Sequence, residues 1–333
     1  LGNWERNPQL PNPPIPHSPT MTNTPAIETH HLRKEYGDKV AVADLTLRVE
    51  RGEVFGFLGP NGAGKTTAVK MLLGLAAPTA GSAQLLGRPL GDTAVRARVG
   101  FLPEHFRFHE WLRAAEFLDL HGQLFGLAAG QRAKRIPELL ELVGLAEEAG
   151  RKLSAFSKGM LQRIGLAQAL LPEPELVFLD EPTSGLDPLG RRLVRDVIHR
   201  LKTAGTTIFL NSHLLSEVEV TCDRVAFIKE GQVVRTAQLG ALVDGLTEVE
   251  LRVGRVTPEL LEGLRRWGSD LSPASAGMSP RVDGRRITLT IQDEEALPAL
   301  AQWVVEQGVG LYALTPQQLS LEELFVRVVE GEA

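Results

Sequence analysis

The chain has 333 residues, enough for more than one hydrophobic core, and its 43 % hydrophobic and 23 % charged content is ordinary for a globular protein. A formal net charge of −5 lacks the basic excess that a polyanion-binding surface needs, so no nucleic-acid partner is expected. No apolar run approaches the ~20 residues needed to cross a bilayer, so a role at a membrane requires docking onto something that spans it.

Residues 1–22 are rich in Pro and Asn and have neither an apolar h-region nor a helical period. They read as a disordered leader and not as a signal peptide, with Met21 as an alternative natural start. Residues 27–36 and 40–49 alternate apolar and polar side chains around the turn Gly37-Asp38, which predicts two strands. Residues 54–58, Val-Phe-Gly-Phe-Leu, form the short continuous apolar run of a buried parallel strand.

That strand leads into Gly59-Pro60-Asn61-Gly62-Ala63-Gly64-Lys65-Thr66, a match to G-x-x-x-x-G-K-[ST], and then into a predicted helix over 66–75 that begins with Thr66 and Thr67. Glycines at these positions let backbone N–H groups converge on phosphate oxygens. The following helix start adds the positive end of its dipole. Lys65 is a point charge for the β- and γ-phosphates, and the Thr66 hydroxyl is a Mg²⁺ ligand. The expected ligands are therefore ATP and Mg²⁺.

Between about 110 and 150 the period changes: Ile136, Leu139, Leu140 and Val143 recur at helical spacing, so this insert is helical. Trp111, Phe117, Leu118, Leu124 and Phe125 either line a cleft in it or form its core. Residues 164–171 read as a helix and 176–179 as a second buried strand ending in Asp180-Glu181. Two carboxylates at a strand tip suit a metal ligand (Asp180) and a group that orients or deprotonates water (Glu181), or are simply solvated acids. An amphipathic stretch over 191–202 precedes a third strand, 206–210, beyond which lies His213. The single cysteine, Cys222, cannot form an internal disulfide and reads as a small core residue, which fits a reducing compartment.

Alternating strands and helices with chemistry at the strand carboxyl ends predict an α/β core with a mostly parallel sheet. After 239 the order changes: strand 248–253, helix 258–267, a hairpin 281–291 through Asp283-Gly284, helix 294–306 and extended 309–314. This βαββαβ series predicts a small ferredoxin-like domain. A last helix starts at a Ser320/Glu323 capping box and carries Leu321, Leu324, Phe325 and Val328 on one face.

The run Leu153-Ser154-Ala155-Phe156-Ser157-Lys158-Gly159-Met160-Leu161-Gln162-Arg163 resembles the signature of the ABC (ATP-binding cassette) ATPases, in an exporter-branch variant. Ser184-Gly185-Leu186-Asp187 is similar to the family's D-loop, His213 to its switch histidine, and Tyr36 to its adenine-stacking aromatic, though Tyr36 also reads as a strand-edge residue. The resemblance covers about 27–238 and implies a P-loop NTPase of the ABC-ATPase fold. Its parts are a RecA-like parallel core with an N-terminal antiparallel β-subdomain over 25–239, a helical subdomain at about 105–160, and a small α+β accessory or dimerisation domain over 240–333.

It further implies a transport motor at the inner face of the cell membrane, exporting a drug, antibiotic, lipid or ion through separate transmembrane subunits. A homodimer would form in which Ser157, Gly159, Gln162 and Asp187 meet the partner's nucleotide. Glu181, His213 and Lys65 would be catalytic, and Thr66, Asp180 and Glu104 would hold Mg²⁺. Two positions depart from the family pattern. Glu104 replaces the usual Gln and is either a metal ligand or a linker residue; Lys158 replaces a glycine and either restrains the loop or adds a phosphate contact. The alternatives are an ABC ATPase of DNA repair or translation, disfavoured by the short insert and single P-loop, or a regulatory ATPase sensor.

Overall fold

In a computed structural model the described residues are 24–105, 108–239, 247–269, 281–283, 285–291 and 294–318, with 321, 322 and 325. The expected leader, Gly284 of the hairpin turn and the Ser320/Glu323 capping box lie outside them. A ten-stranded sheet runs in the order β5-β4-β1-β2-β10-β9-β3-β8-β7-β6. Its outer part is antiparallel: β1 (Ile27–Tyr36) pairs with both β2 (Lys39–Val49) and β4 (Ala80–Leu85), and β5 (Arg88–Pro89) forms the edge. Its inner part is parallel: β3 (Val54–Leu58), β8 (Thr207–Asn211), β7 (Leu176–Asp180) and β6 (Val99–Leu102) lie side by side. On the far side of β3 comes β9 (Arg224–Lys229), which turns back into β10 (Gln232–Gln238).

The central strands are apolar throughout because both of their faces are covered, and their alternate residues serve different cores. Phe55, Phe57, Phe178 and Phe209 point to the side of α1 (Lys65–Leu72) and the antiparallel strands. Phe209 sits at the middle of that cluster, 5.2 Å from Phe57 and Phe178 and 5.9 Å from Phe55 between ring centroids. Each such ring, removed from water, contributes roughly 1.5–3 kcal/mol. Val177, Leu179, Ile208 and Leu210 face the opposite core, shared with the helical insert and with α6 (Pro188–Thr203).

The insert consists of α3 (Ala114–Leu124) and α4 (Ala129–Leu142), and Ile136, Leu139 and Leu140 bury the α4 face that periodicity predicts. α1 stops at Leu72, short of the expected 75, because Gly74 takes the left-handed conformation (φ 69°) that closes a helix. A short α2 (Thr93–Arg96) and α7 (Leu215–Thr221) complete the layers, with α5 (Lys158–Ala169) between insert and sheet.

The chain beyond 246 builds a separate four-stranded antiparallel sheet in the order β12-β13-β11-β14: β11 (Thr247–Val253), β12 (Arg281–Asp283), β13 (Arg286–Ile291) and β14 (Leu311–Gln318). Two helices, α8 (Pro258–Ser269) and α9 (Leu297–Glu306), connect them as a split βαβ arrangement. Leu260, Leu264, Leu300 and Val304 pack these helices on Val249, Leu251, Ile287 and Leu289. Leu321 and Phe325 then return to the first core. The Phe325 ring lies 6.2 Å from that of Phe227, and Leu321 N donates to Glu219 of α7 at 3.4 Å.

Cys222 is buried against Gly56, and burial pushes its thiol far above the usual range. A thiol that stays protonated is a poor nucleophile. Native protein is expected to leave an aromatic disulfide reagent unreacted at pH 8 and to consume one equivalent once unfolded, as followed by absorbance. Rapid native labelling would contradict this burial.

Candidate functional site

Parallel strands open their carboxyl ends on one edge of a sheet, and loops leaving that edge converge there. Here four neighbours do so. β3 delivers the glycine-rich loop, β8 ends at Asn211 and leads to His213, β7 ends at Asp180-Glu181, and β6 leads to Glu104.

The glycine-rich loop is built as its residue types require. Gly62 and Gly64 are left-handed (φ 83° and 101°), and a Cβ on Gly64 would collide with Ala41 O. Asn61 and Thr66 are exposed, Ala63 is buried, and Gly59, Gly64, Lys65 and Thr67 are half-buried. The Lys65 ammonium folds back over the loop, donating to Gly59 O at 2.6 Å and Pro60 O at 3.1 Å. Burial draws its pKa down, while the charges of Glu181, Asp180 and Glu104 act the other way.

Asp180 and Glu181 are each only 6 % exposed. Burial raises the pKa of both carboxyls, and each is raised further by an acidic neighbour, Glu104 beside Asp180 and Asp180 beside Glu181. Asn211 Nδ2 donates to Asp180 Oδ1 at 2.5 Å, and Glu181 N donates to Asn211 O at 2.8 Å. Sequence reasoning missed Asn211; its signal was an amide closing an otherwise apolar strand. His213 Nδ1 stands 2.7 Å from Glu181 Oε2, and its contact with the carboxylate opposes the upward shift. Glu181 itself has φ 53°, a left-handed conformation rare outside glycine.

Several carboxylates facing a single ammonium leave an excess of negative charge, which suits a hard cation. Among the described residues no cluster of three or more His, Cys, Asp or Glu side chains could hold a metal by itself. The donors are oxygens: the exposed Thr66 hydroxyl, the Asp180 and Glu104 carboxylates, and a buried Asn211 Oδ1 with no partner. That set fits Mg²⁺, which keeps waters and shares phosphate oxygens instead of occupying an all-protein cage.

The signature residues sit elsewhere. Ser157 is exposed and caps α5, accepting from Met160 N at 3.2 Å. Gly159 lies beside Leu186, and the Lys158 chain lies over Gly185, where an added Cβ would come within 2.8 Å of Lys158 Cε. Lys158 thus rests on the D-loop. Asp187 caps α6, accepting from Gly190 N at 2.7 Å. Gln162 is turned inward, 8 % exposed, and donates to Glu181 O at 3.1 Å. Tyr36 is half exposed at the end of β1 with Lys34 Nζ over its ring. Of the insert's apolar residues, Phe117 and Leu118 belong to the core, Trp111 and Leu124 are exposed, and Phe125 lines a cavity of about 450 Å³ with Leu72, Leu75, Leu90, Val95 and Phe101.

The family model described as "ABC transporter" matches residues 42–184. An uncharacterised ABC transporter ATP-binding protein of Nostoc is 50 % identical over 67 % of this chain and 70 % of its own length. The Nod factor export ATP-binding protein I of Cupriavidus metallidurans is 36 % identical over 93 % of this chain and 99 % of its own length. The chain belongs to the ABC transporter ATP-binding family. A solved dimeric, post-hydrolysis ATP-binding cassette bound to ADP and Pi resembles this ABC chain with a TM-score of 0.59 and 25 % identity, covering 64 % of this chain and 98 % of that one. The ABC-ATPase fold expected from sequence is therefore present, with the second, smaller α+β sheet appended. No helix among the described residues of this ABC chain is long and apolar enough to cross a membrane.

Proposed function

We propose that this ABC chain hydrolyses Mg·ATP in a site closed by a second copy of itself, and that it drives export through separate transmembrane subunits from the inner face of the membrane. The observation that carries the reading is a division of labour within one chain. The P-loop, Asp180, Glu181 and His213 share one sheet edge, whereas Ser157 stands exposed at the start of α5. A helix start with an exposed cap suits an anion supplied from outside.

In this mechanism the P-loop amides and Lys65 bind the triphosphate, and Thr66, Asp180 and Glu104 would hold Mg²⁺, which would supply charge neutralisation to the phosphates. Glu181 accepts a proton from water as the water oxygen bonds to the γ-phosphorus. The bond from that phosphorus to the β–γ bridging oxygen breaks, giving ADP and phosphate. His213 keeps Glu181 Oε2 in place. Ser157 and Gly159 of the partner subunit, with Asp187, close the far side of the triphosphate, and Tyr36 offers a face to adenine.

Export is supported by the similarity to the Cupriavidus Nod factor export ATP-binding protein I. The apolar cavity between α1, α2, β6 and the insert suits a short helix from a membrane subunit. The second sheet suits a contact holding two copies together.

Complementation tests the composite site. A Lys65→Ala chain and a Ser157→Arg chain are each expected to be inactive alone, and their mixture to recover ATPase activity, because the mixed dimer contains one intact site. A mixture as inactive as its parts would overturn the reading.

A further inference from the structure

Three contacts join the first turns of α5 to the segment that follows β7. Gln162 Nε2 donates to Glu181 O, the Lys158 chain covers Gly185, and Gly159 abuts Leu186. The helix that presents Ser157 outward is thus fastened to the segment that carries Glu181 of the same chain.

The Gln162 contact bears on an unfavourable piece of backbone. Glu181 is left-handed, and the next residue is Pro182. A residue before proline is driven toward extended conformations, so left alone Glu181 would swing out of its present geometry. Its peptide is held from two sides: Glu181 N donates to Asn211 O at 2.8 Å, and Glu181 O accepts from Gln162 at 3.1 Å. Without the amide the carbonyl loses that buried donor, and the carboxylate that faces His213 moves with the backbone.

We propose that Gln162 is a positioning residue for Glu181 of its own chain, holding the Glu181 carbonyl so that the carboxylate keeps its place. This rests on the composite two-copy site proposed above. It assigns Gln162 to the catalytic glutamate of its own chain, in contrast to the partner-nucleotide role that the motif resemblance implies.

Gln162→Met keeps the length of the side chain and removes the donor. Displacing a reacting group by about 1 Å costs roughly a hundredfold in rate, so kcat is expected to fall by about that factor while the Kd for Mg·ATP stays near that of the parent. A parental kcat, or a loss confined to KM, would overturn the proposal. The mixed dimer sharpens the test. Gln162→Met placed in the Ser157→Arg chain, which supplies the working P-loop and Glu181, is expected to abolish most of the recovered activity. In the Lys65→Ala chain, which supplies only the signature, the effect is expected to be much smaller. Equal losses from both placements, or a greater loss from the second, would refute the assignment. If the parent mixture is itself inactive, the composite site is what fails, and the kcat-against-Kd split in the single variant still decides whether Gln162 positions Glu181. Should Gln162→Met not fold, as judged by its melting curve, Gln162→Leu takes its place with the same readouts.

Discussion

Glu181→Gln is expected to bind Mg·ATP like the parent chain, to turn it over about 10²–10⁴ times more slowly, and to accumulate as a nucleotide-loaded dimer. The substitution keeps the shape of a side chain that is almost wholly buried, and it leaves the backbone contacts to Asn211 and Gln162 in place. What it removes is the proton acceptor. Burial and Asp180 already hold the Glu181 carboxyl above the usual carboxylate range, which makes its ionised form a stronger base than an ordinary glutamate. An amide has no such capacity. Since only the chemical step is lost, the ground-state complex should persist, and size-exclusion chromatography with ATP should show a larger dimer fraction than the parent gives under the same conditions. Parental turnover in this variant would remove Glu181 from the reaction.

Lys65→Ala is expected to fail one step earlier, at nucleotide retention. The ammonium is half-buried and bonded only to two loop carbonyls, Gly59 O and Pro60 O, among the described contacts. Charge-assisted bonds to phosphate are stronger than bonds to neutral carbonyls, so the ammonium gains by exchanging partners. Without it, the carboxylates of Glu181, Asp180 and Glu104 face the triphosphate without the lysine's charge to offset them. Equilibrium binding of a fluorescent ATP analogue should fall by more than tenfold, an energy above about 1.4 kcal/mol. Unaltered binding with lost hydrolysis would assign Lys65 to the transition state alone.

Much of the nucleotide site was legible because each part is local. Glycine spacing, a lysine at a helix start and two acids closing an apolar strand are each readable within a few residues. The α/β core with its parallel inner strands followed from such runs as well. What escaped depends on packing between distant segments. Asn211 earns its place only because β8 lies beside β7. The direction of Gln162 is set by where α5 meets the end of β7, 19 residues further along. The left-handed turn at Glu181 contradicts the local preference before a proline, so no local rule could have announced it. Strands β4, β5 and β6 lacked a period because they are short and interrupted by glycine, serine and proline. Strand β9 has an apolar stretch too short to separate from a helix fragment.

The chain passes to its second sheet from Leu239, whose amide bonds Asp223 O at 2.8 Å, and comes back at Leu321, whose amide reaches Glu219. Departure and return are therefore stapled a few residues apart around the end of α7, the helix that succeeds His213. A module gripped at two such close points resembles a handle bolted through a single plate. Force applied to its outer surface would be delivered to that plate, so whatever grasps the handle would act close to His213.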